Sequence, residues 1–535
     1  MAARGILSAS KTQPMGEADM QRKSVGSAVT KGQKAYPKDT MKSAKLTILN
    51  FAGRRIAMAK PRIPALNDWA KIVFIVLVFC FAMAITSPAQ TYTTLLSFDG
   101  SDGQNPNASL VQGTNGNLYA TTFGGGAHSP YGTVFEINPG GTLTTLYSFC
   151  AQTKCSDGDE PVAAFLLDSD GNLYSTTFAG GTNGYGTVFK ITPGGTLTTL
   201  HNFNMTDGAY PSTGVVQATN GSLYGTTRSG GGDNDGTVFN LTVDGTLMTL
   251  HSFDRTDGYE PNGPLIQATD GNFYGTTYSG GTNGYGTAFK ITPGGTLTTL
   301  YSFCSQTNCT DGALPGAGVV QAANGNLYGT TTDGGTNGYG TVFEINSAGR
   351  LTTLHSFDGT DGYSPMAPLI QATDGNFYGT TYLGGTNCCG RGRVTYGTVF
   401  KVTPSGTLTT LHSFDGGDGD EPFGALFQAT SGTFYGTTFY GGARNDGTVF
   451  SLSVGLDPFV ETTPTSGQVG TKVLILANTL TGTSSVTFHG ISATFTVVSE
   501  TEITTTVPTG ATSGTVEVTT PGGVLTSNVA FHVIP

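Results

Sequence analysis

Residues 261–303 read PNGPLIQATDGNFYGTTYSGGTNGYGTAFKITPGGTLTTLYSF. Four short segments stand out, each closed by turn residues: PLIQAT before Asp-Gly-Asn, NFYGTTY before Gly-Gly, GTAFKIT before Pro-Gly-Gly, and TLTTLYSF before a loop. Alternating runs bounded by Gly, Pro, Asn and Asp predict β-strands, and no helical period competes with them. The stretch recurs along the chain. Gly-Thr-Val/Ala-Phe opens at Gly132, Gly186, Gly236, Gly286, Gly340, Gly397 and Gly447, and the Leu/Phe-Tyr element places its tyrosine at Tyr119, Tyr174, Tyr224, Tyr274, Tyr328, Tyr378 and Tyr435. Copies therefore lie 50–57 residues apart. Four antiparallel strands in such a period predict the blade of a β-propeller.

The array starts and stops in mid-repeat. TYTTLLSF (residues 91–98) is a fourth strand with no first three, whereas Pro422 to Val454 supply three strands and no fourth. Pairing the two fragments would close a ring and remove its open edge. The expected fold is all-β: a seven-bladed β-propeller over 91–454, closed by its N-terminal strand. An open solenoid would want capping repeats instead.

Charge is unevenly placed. Residues 1–71 hold 14 of the 25 Lys+Arg and 4 of the 36 Asp+Glu, which leaves 11 basic against 32 acidic residues from Ile72 onward, a formal charge of −21. An acidic body argues against a nucleic-acid partner. Residues 72–85, IVFIVLVFCFAMAI, form an apolar run that follows Lys71 and precedes Ser87-Pro88-Ala89. A membrane span needs about 20 apolar residues, so residues 71–89 read as a signal peptide cleaved after Ala89. The alternative is an uncleaved anchor, the only route to a membrane. Residues 1–70 form a basic extension, either a disordered tail or the product of a start codon placed too early. The protein is thus expected to be secreted or on the cell surface, and monomeric.

Cys150/Cys155 and Cys304/Cys309 are C-x4-C insertions at matching places in two repeats, and read as local disulfides in an exported chain. A metal site would want further ligands nearby. The adjacent Cys388 and Cys389 either bridge or stay reduced.

Propeller geometry places the TDGN and TPGG turns on one face and every insertion on the other, the candidate binding face. Tyr131, Tyr185, Tyr285, Tyr339 and Tyr396 recur there before Gly-Thr, and Arg391 and Arg393 stand in the non-repeating insertion. Tyr210, Tyr259 and Tyr363 follow Asp-Gly. Such a rim suits a glycan or a surface protein, although recurrence also fits loop-on-loop packing. Asp-x-x-Asp-Gly at the fourth-strand exits is extended once, to Asp415, Asp418, Asp420 and Glu421, a candidate Ca²⁺ loop that lacks the full EF-hand pattern. Glutamines recur in first strands, with Leu167 the exception, and read as a hydrogen-bonded ring. Histidines before Ser/Asn-Phe alternate with tyrosine and read as surface positions. No nucleophile elbow, P-loop or HExxH is present, so no catalytic residue is assigned.

Residues 458–535 lose the repeat and alternate in short strands, predicting a β-sandwich. Pro464-x-x-Gly467-x-x-Gly470-Thr471, Val486-x-Phe488-x-Gly490, Val507-Pro508 and Gly514-x-Val516-x-Val518 before Gly522-Gly523 resemble the IPT/TIG immunoglobulin-like family, with Ala477-Asn478 a departure. That resemblance implies an immunoglobulin-like fold and a spacer or binding module. The repeat itself, through LYGTT, Gly-Gly, GTVFKI and LxxLxxF, resembles the GloVer repeat of exported bacterial proteins over 91–454, and more distantly kelch repeats without their tryptophan. The family implies no catalytic residues. The expected function is surface binding through the insertion face. An extracellular polysaccharide-acting enzyme and a structural envelope component are the alternatives.

Overall fold

The computed structural model describes residues 90–387 and 396–534, all in one compact unit, Ile85–Pro535. The basic extension and apolar run, together with Cys388, Cys389, Arg391 and Arg393, lie outside the described residues. Among the described residues no helix is long and apolar enough to cross a membrane.

The stretch quoted first folds as expected. Ile266–Gln267, Phe273–Thr277, Thr287–Ile291 and Leu297–Ser302 form one antiparallel sheet in sequence order. Among the described residues, six repeats build such a sheet from consecutive strands, and a seventh combines Phe427–Gln428, Phe434–Thr438 and Thr448–Ser453 with Thr91–Ser97 from the other end. Thr91 faces Ser453 and Ser97 faces Thr448 in this last pairing. The result is an all-β, propeller-like array of repeated four-stranded sheets.

Second strands are buried throughout, because each sheet is covered on both faces. Tyr224, Val238 and Phe253 of one repeat share an apolar cluster with Leu265, Phe273 and Phe289 of the next. The same packing joins Leu118 and Phe135 near the start to Tyr435 and Val449 near the end. The glycine of Tyr-Gly-Thr-Thr leaves room for the third-strand phenylalanine: a Cβ on Gly275 would sit 2.7 Å from Phe289 Cζ. The second threonine of the pair is equally constrained. Thr277 Oγ1 lies 2.9 Å from Thr287 Oγ1 and accepts the Thr287 N–H, all buried.

A backbone joint links successive repeats. The residue before Gly-Thr accepts a hydrogen bond from the residue before the next repeat's proline, as in Leu314 N to Tyr285 O at 2.8 Å. The joint also spans the ends of the array, Asn105 N to Asp446 O at 2.7 Å. A second joint uses the recurring glutamines. Gln267, Gln321, Gln371 and Gln428 each accept, through Oε1, a backbone N–H of the preceding repeat (Thr219, Thr269, Ala323, Thr373). Gln112 accepts that of Thr430 at 3.0 Å, again joining start to end.

The C-terminal residues form two four-stranded sheets around one core. Glu461–Thr463, Lys472–Leu476, Glu502–Thr506 and Phe495–Val497 make the first, with Ile491–Ser492, Ser485–Phe488, Val516–Thr520 and Gly523–Thr526 opposite. Val473, Ile475, Val486, Ile503 and Val518 fill the interior. The run Val473-Leu474-Ile475-Leu476 is apolar without alternation because both of its faces are buried. Leu476 belongs to an apolar cluster of the repeat array.

Glu461 stands opposite Leu476, and desolvation there raises its carboxyl from 4.5 to about 7. A folded-state pKa above the unfolded one gives stability that is fully present below pH 4.5 and lost as pH rises toward 7. Glu461→Gln is therefore expected to stabilise the protein by about 2 kcal/mol at pH 8 and to change little at pH 4. Urea unfolding at the two pH values checks this.

Candidate functional site

The fourth-strand exits show what the recurring histidines do. His251 Nε2 lies 2.7 Å from Asp257 Oδ2, His355 2.7 Å from Asp361, His412 2.8 Å from Asp418, and His201 3.0 Å from Asp207. Tyr147 and Tyr301 donate to Asp157 and Asp311 in the same way. The expectation of surface positions is thus corrected: these rings are only about one-fifth exposed and each fixes the second aspartate of the turn.

That aspartate also accepts backbone N–H groups. Asp418 Oδ1 takes the Asp415 N–H, and Asp415 Oδ1 takes those of Gly417 and Asp418. Asp415 and Asp418 of the Ca²⁺ candidate are thus engaged in shaping the turn, and although burial, the largest single influence, raises it, the His412 imidazole with its hydrogen bond holds Asp418 below the usual carboxylate range. Glu421 accepts the Tyr382 hydroxyl at 2.5 Å. Among the described residues no group of three or more His, Cys, Asp or Glu could hold a metal ion.

Both predicted disulfides form, Cys150–Cys155 and Cys304–Cys309. Each closes a loop whose last carbonyl caps the neighbouring Gly-Gly turn: Cys155 O accepts from Gly181 N and Cys309 O from Gly335 N.

The predicted tyrosines Tyr131, Tyr185, Tyr285, Tyr339 and Tyr396 each stand at a junction between repeats. Their carbonyls serve the backbone joint, and several rings pack locally. Tyr185 meets Tyr210 edge-on at 5.8 Å, and Tyr339 meets Tyr363 at 5.0 Å. Tyr131 and Tyr396 border apolar clusters. Tyr285 is 45% exposed. Tyr259 lies under the Arg255 guanidinium at 5.3 Å.

A different feature of this face varies from repeat to repeat. In every repeat the two residues before the proline form a bridge with the two residues that follow the second strand. Tyr259 and Ser279 exchange backbone hydrogen bonds at 2.8 and 3.0 Å, and Tyr278 N donates to Glu260 O at 2.9 Å. The pre-proline residue is left-handed in all seven copies, with φ between 51° and 56° at Asn105, Glu160, Tyr210, Glu260, Leu314, Ser364 and Glu421. A non-glycine residue held there costs about 1 kcal/mol or more. The backbone of this lip is thus uniform, while its side chains are not. Five residue types occupy the seven pre-proline positions. The partner position is Phe123, Phe178, Arg228, Tyr278, Thr332, Tyr382 or Phe439.

The lip is acidic and aromatic. Asp159, Glu160, Glu260, Asp333, Asp420 and Glu421 stand on it with one cation, Arg228, which pairs with Glu260 at 3.2 Å. Its aromatic side chains gather from the sixth repeat through the seventh to the first. Tyr382 lies 5.8 Å from Phe423, Phe439 lies 4.8 Å from Tyr440 and 6.3 Å from Phe123, and Phe423 and Tyr440 are each 37% exposed. Burial, then the hydrogen bond to Glu421, raises the Tyr382 phenol, so it stays protonated and donating. Burial pushes Asp159 up to about 6, with the neighbouring Glu160 charge adding to it. Exposed ring faces beside fixed acceptors can stack an apolar ligand face while accepting hydrogen bonds from hydroxyl or ammonium groups. Sequence reasoning missed Glu160, Glu260, Arg228, Tyr382 and Phe439. Their signal was divergence at fixed offsets from the proline and the Thr-Thr pair, inside a repeat otherwise nearly constant.

The family described as the Gloeobacter/Verrucomicrobia repeat matches residues 80–282, 148–320 and 263–498. No curated protein matches the chain. Similar solved structures include the extracellular domain of a candidate hybrid two-component system from B. thetaiotaomicron, at 13% identity over 83% of this chain and 58% of that one, TM-score 0.45. Candidate 6-phosphogluconolactonases from Bacteroides uniformis (18% identity, 57% of this chain, 84% of that one, TM-score 0.38) and Bacteroides fragilis (17%, 60%, 86%, TM-score 0.39) are also similar. The chain spans 58% of the length of the first of these.

Proposed function

The chain belongs to the Gloeobacter/Verrucomicrobia repeat family, and from that premise we propose an exported or cell-surface binding protein: a closed seven-bladed propeller that presents the acidic, aromatic lip to a glycan, followed by an IPT/TIG-like immunoglobulin module. The lip carries the reading. Seven copies of one strained backbone display different side chains, as expected where a scaffold is constant and a ligand is not symmetric. Two local disulfides suit an oxidising compartment. A signal segment within 71–89, cleaved or retained as an anchor, is part of the same proposal.

The test is a glycan array probed with residues 90–535, with and without Ca²⁺. Binding is expected, and Glu421→Gln combined with Phe423→Ala should weaken it about tenfold or more. Binding that ignores both substitutions, or no binding to any glycan, would sink the proposal and leave a structural envelope role.

One observation favours a second reading, a polysaccharide-acting enzyme. Asp159, with its carboxyl raised to about 6, would serve as a general acid near neutral pH. Hydrolysis of any arrayed polysaccharide that disappears in Asp159→Asn would establish that reading over simple binding.

A further inference from the structure

The glutamine joint is absent at one place only by residue type: the second repeat carries Leu167 where the other six carry glutamine. Leucine offers no acceptor to the backbone N–H of Thr114, the counterpart of Thr219 and Thr269. At the next junction Ser169 N–H turns to its own neighbour, Asp168 Oδ1, at 2.6 Å. The joint is thus missing on both sides of the second repeat.

The C-terminal module sits on these positions. Thr501 Oγ1 donates to Thr114 O at 2.7 Å, Lys472 Nζ donates to Ser169 O at 3.0 Å, and Phe459 N donates to Thr430 O at 3.0 Å. Thr430, Thr114 and Ser169 are the same position, two residues after the first-strand Gln or Leu, in the seventh, first and second repeats. Leu476 of the module shares one buried cluster with Val111, Phe165 and Leu167. The module therefore spans the junction where the two ends of the array meet, and its apolar contact falls where the glutamine is lost.

We propose that the C-terminal module is a clasp on the ring: it holds the first, second and seventh repeats together, bridging the first and second where their glutamine joint is missing, and Leu167 is the residue that receives it. This rests on the closed ring proposed above. The module then stabilises the pairing of Thr91–Ser97 with Thr448–Ser453, although it touches neither strand in any of the bonds just named. Substituting Leu167 trades one attachment for another. Glutamine would restore the acceptor for Thr114 but place an amide in the cluster of Leu476.

The experiment is hydrogen exchange and thermal melting of the full chain carrying Leu167→Gln, Leu476→Ala, both, or Thr501→Val. Leu476→Ala is expected to speed exchange of the amides of residues 91–97 about tenfold and to lower the melting temperature by several degrees. Leu167→Gln alone should also lower it. In the Leu476→Ala background the sign should reverse, and Leu167→Gln should restore part of the loss. Thr501→Val, which removes one hydrogen bond and little packing, should shift exchange in the same direction by less. Unchanged exchange at 91–97 in both Leu476→Ala and Thr501→Val, or an equal effect of Leu167→Gln in both backgrounds, would overturn the clasp. Amides of 91–97 that exchange freely in the unaltered chain would instead overturn the ring, and the clasp with it.

Discussion

Deleting residues 91–98 is expected to lower the melting temperature by roughly 15 °C or more. The segment is the outer strand of the last sheet, paired from Thr91 to Ser97. It also carries Phe98, 1% exposed, which packs edge-on against Phe135 of the first repeat at 5.3 Å. Removing a buried phenylalanine alone costs about 3–5 kcal/mol. Tyr92 adds a contact that, among the described residues, no other fourth strand makes. Its ring stacks on His412 at 3.7 Å and its hydroxyl donates to Asp418 O, where the other repeats place leucine. Deletion would also expose the edge of Thr448–Ser453 to pairing with other chains. Calorimetry measures the shift, and an unchanged melt would mean that the strand does not close the array. Adding back a peptide of residues 90–98 should recover part of the loss, since Tyr92 and Phe98 specify where it binds.

Gly447→Ala is expected to cost about 3 kcal/mol or more, against about 1 kcal/mol for Gly284→Ala. Both glycines are left-handed, at φ 97° and 81°, so both substitutions incur the intrinsic penalty of a Cβ in that conformation. They differ in what the Cβ meets. At Gly447 it would lie 2.5 Å from Thr438 O and 2.6 Å from Pro106 Cδ; at Gly284 nothing lies within 4 Å. Pro106 belongs to the first repeat, so the clash falls on the junction between the ends and forces backbone apart rather than a flexible side chain. Urea midpoints of the two variants test the contrast. Equal midpoints would mean that Pro106 does not press on Gly447.

The two predictions rest on features with different visibility in the sequence. The paired fragments at the ends were legible, because strand signals are local and period counting needs no coordinates. The Gly447–Pro106 contact was legible only as a recurrence of glycine and proline. That they touch across 341 residues follows from the register of the sheets. Both C-x4-C disulfides were legible for the same local reason. The histidines were misread. A His-to-Tyr exchange looks like a tolerant surface site until Asp257 and Asp311 show that either ring reaches the second aspartate of the turn. Leu167 stood out as a missing glutamine, but its reason lies in Leu476, more than 300 positions away. The lip does not show among the insertions, because Glu260, Tyr382 and Phe439 sit at constant offsets and differ only in type.

By itself the sequence determined the strands, the repeat, the complementary ends and the loss of the repeat after residue 458. Each of these depends on neighbouring residues: alternation along a strand, a glycine in a turn, a cysteine five positions from its partner. Only the tertiary structure decided which carboxylates are engaged in turns, which side chains share the lip, and where the C-terminal module rests. Those outcomes depend on contacts between residues far apart in the chain, set by how adjacent sheets bury their faces against each other, and no local pattern encodes them.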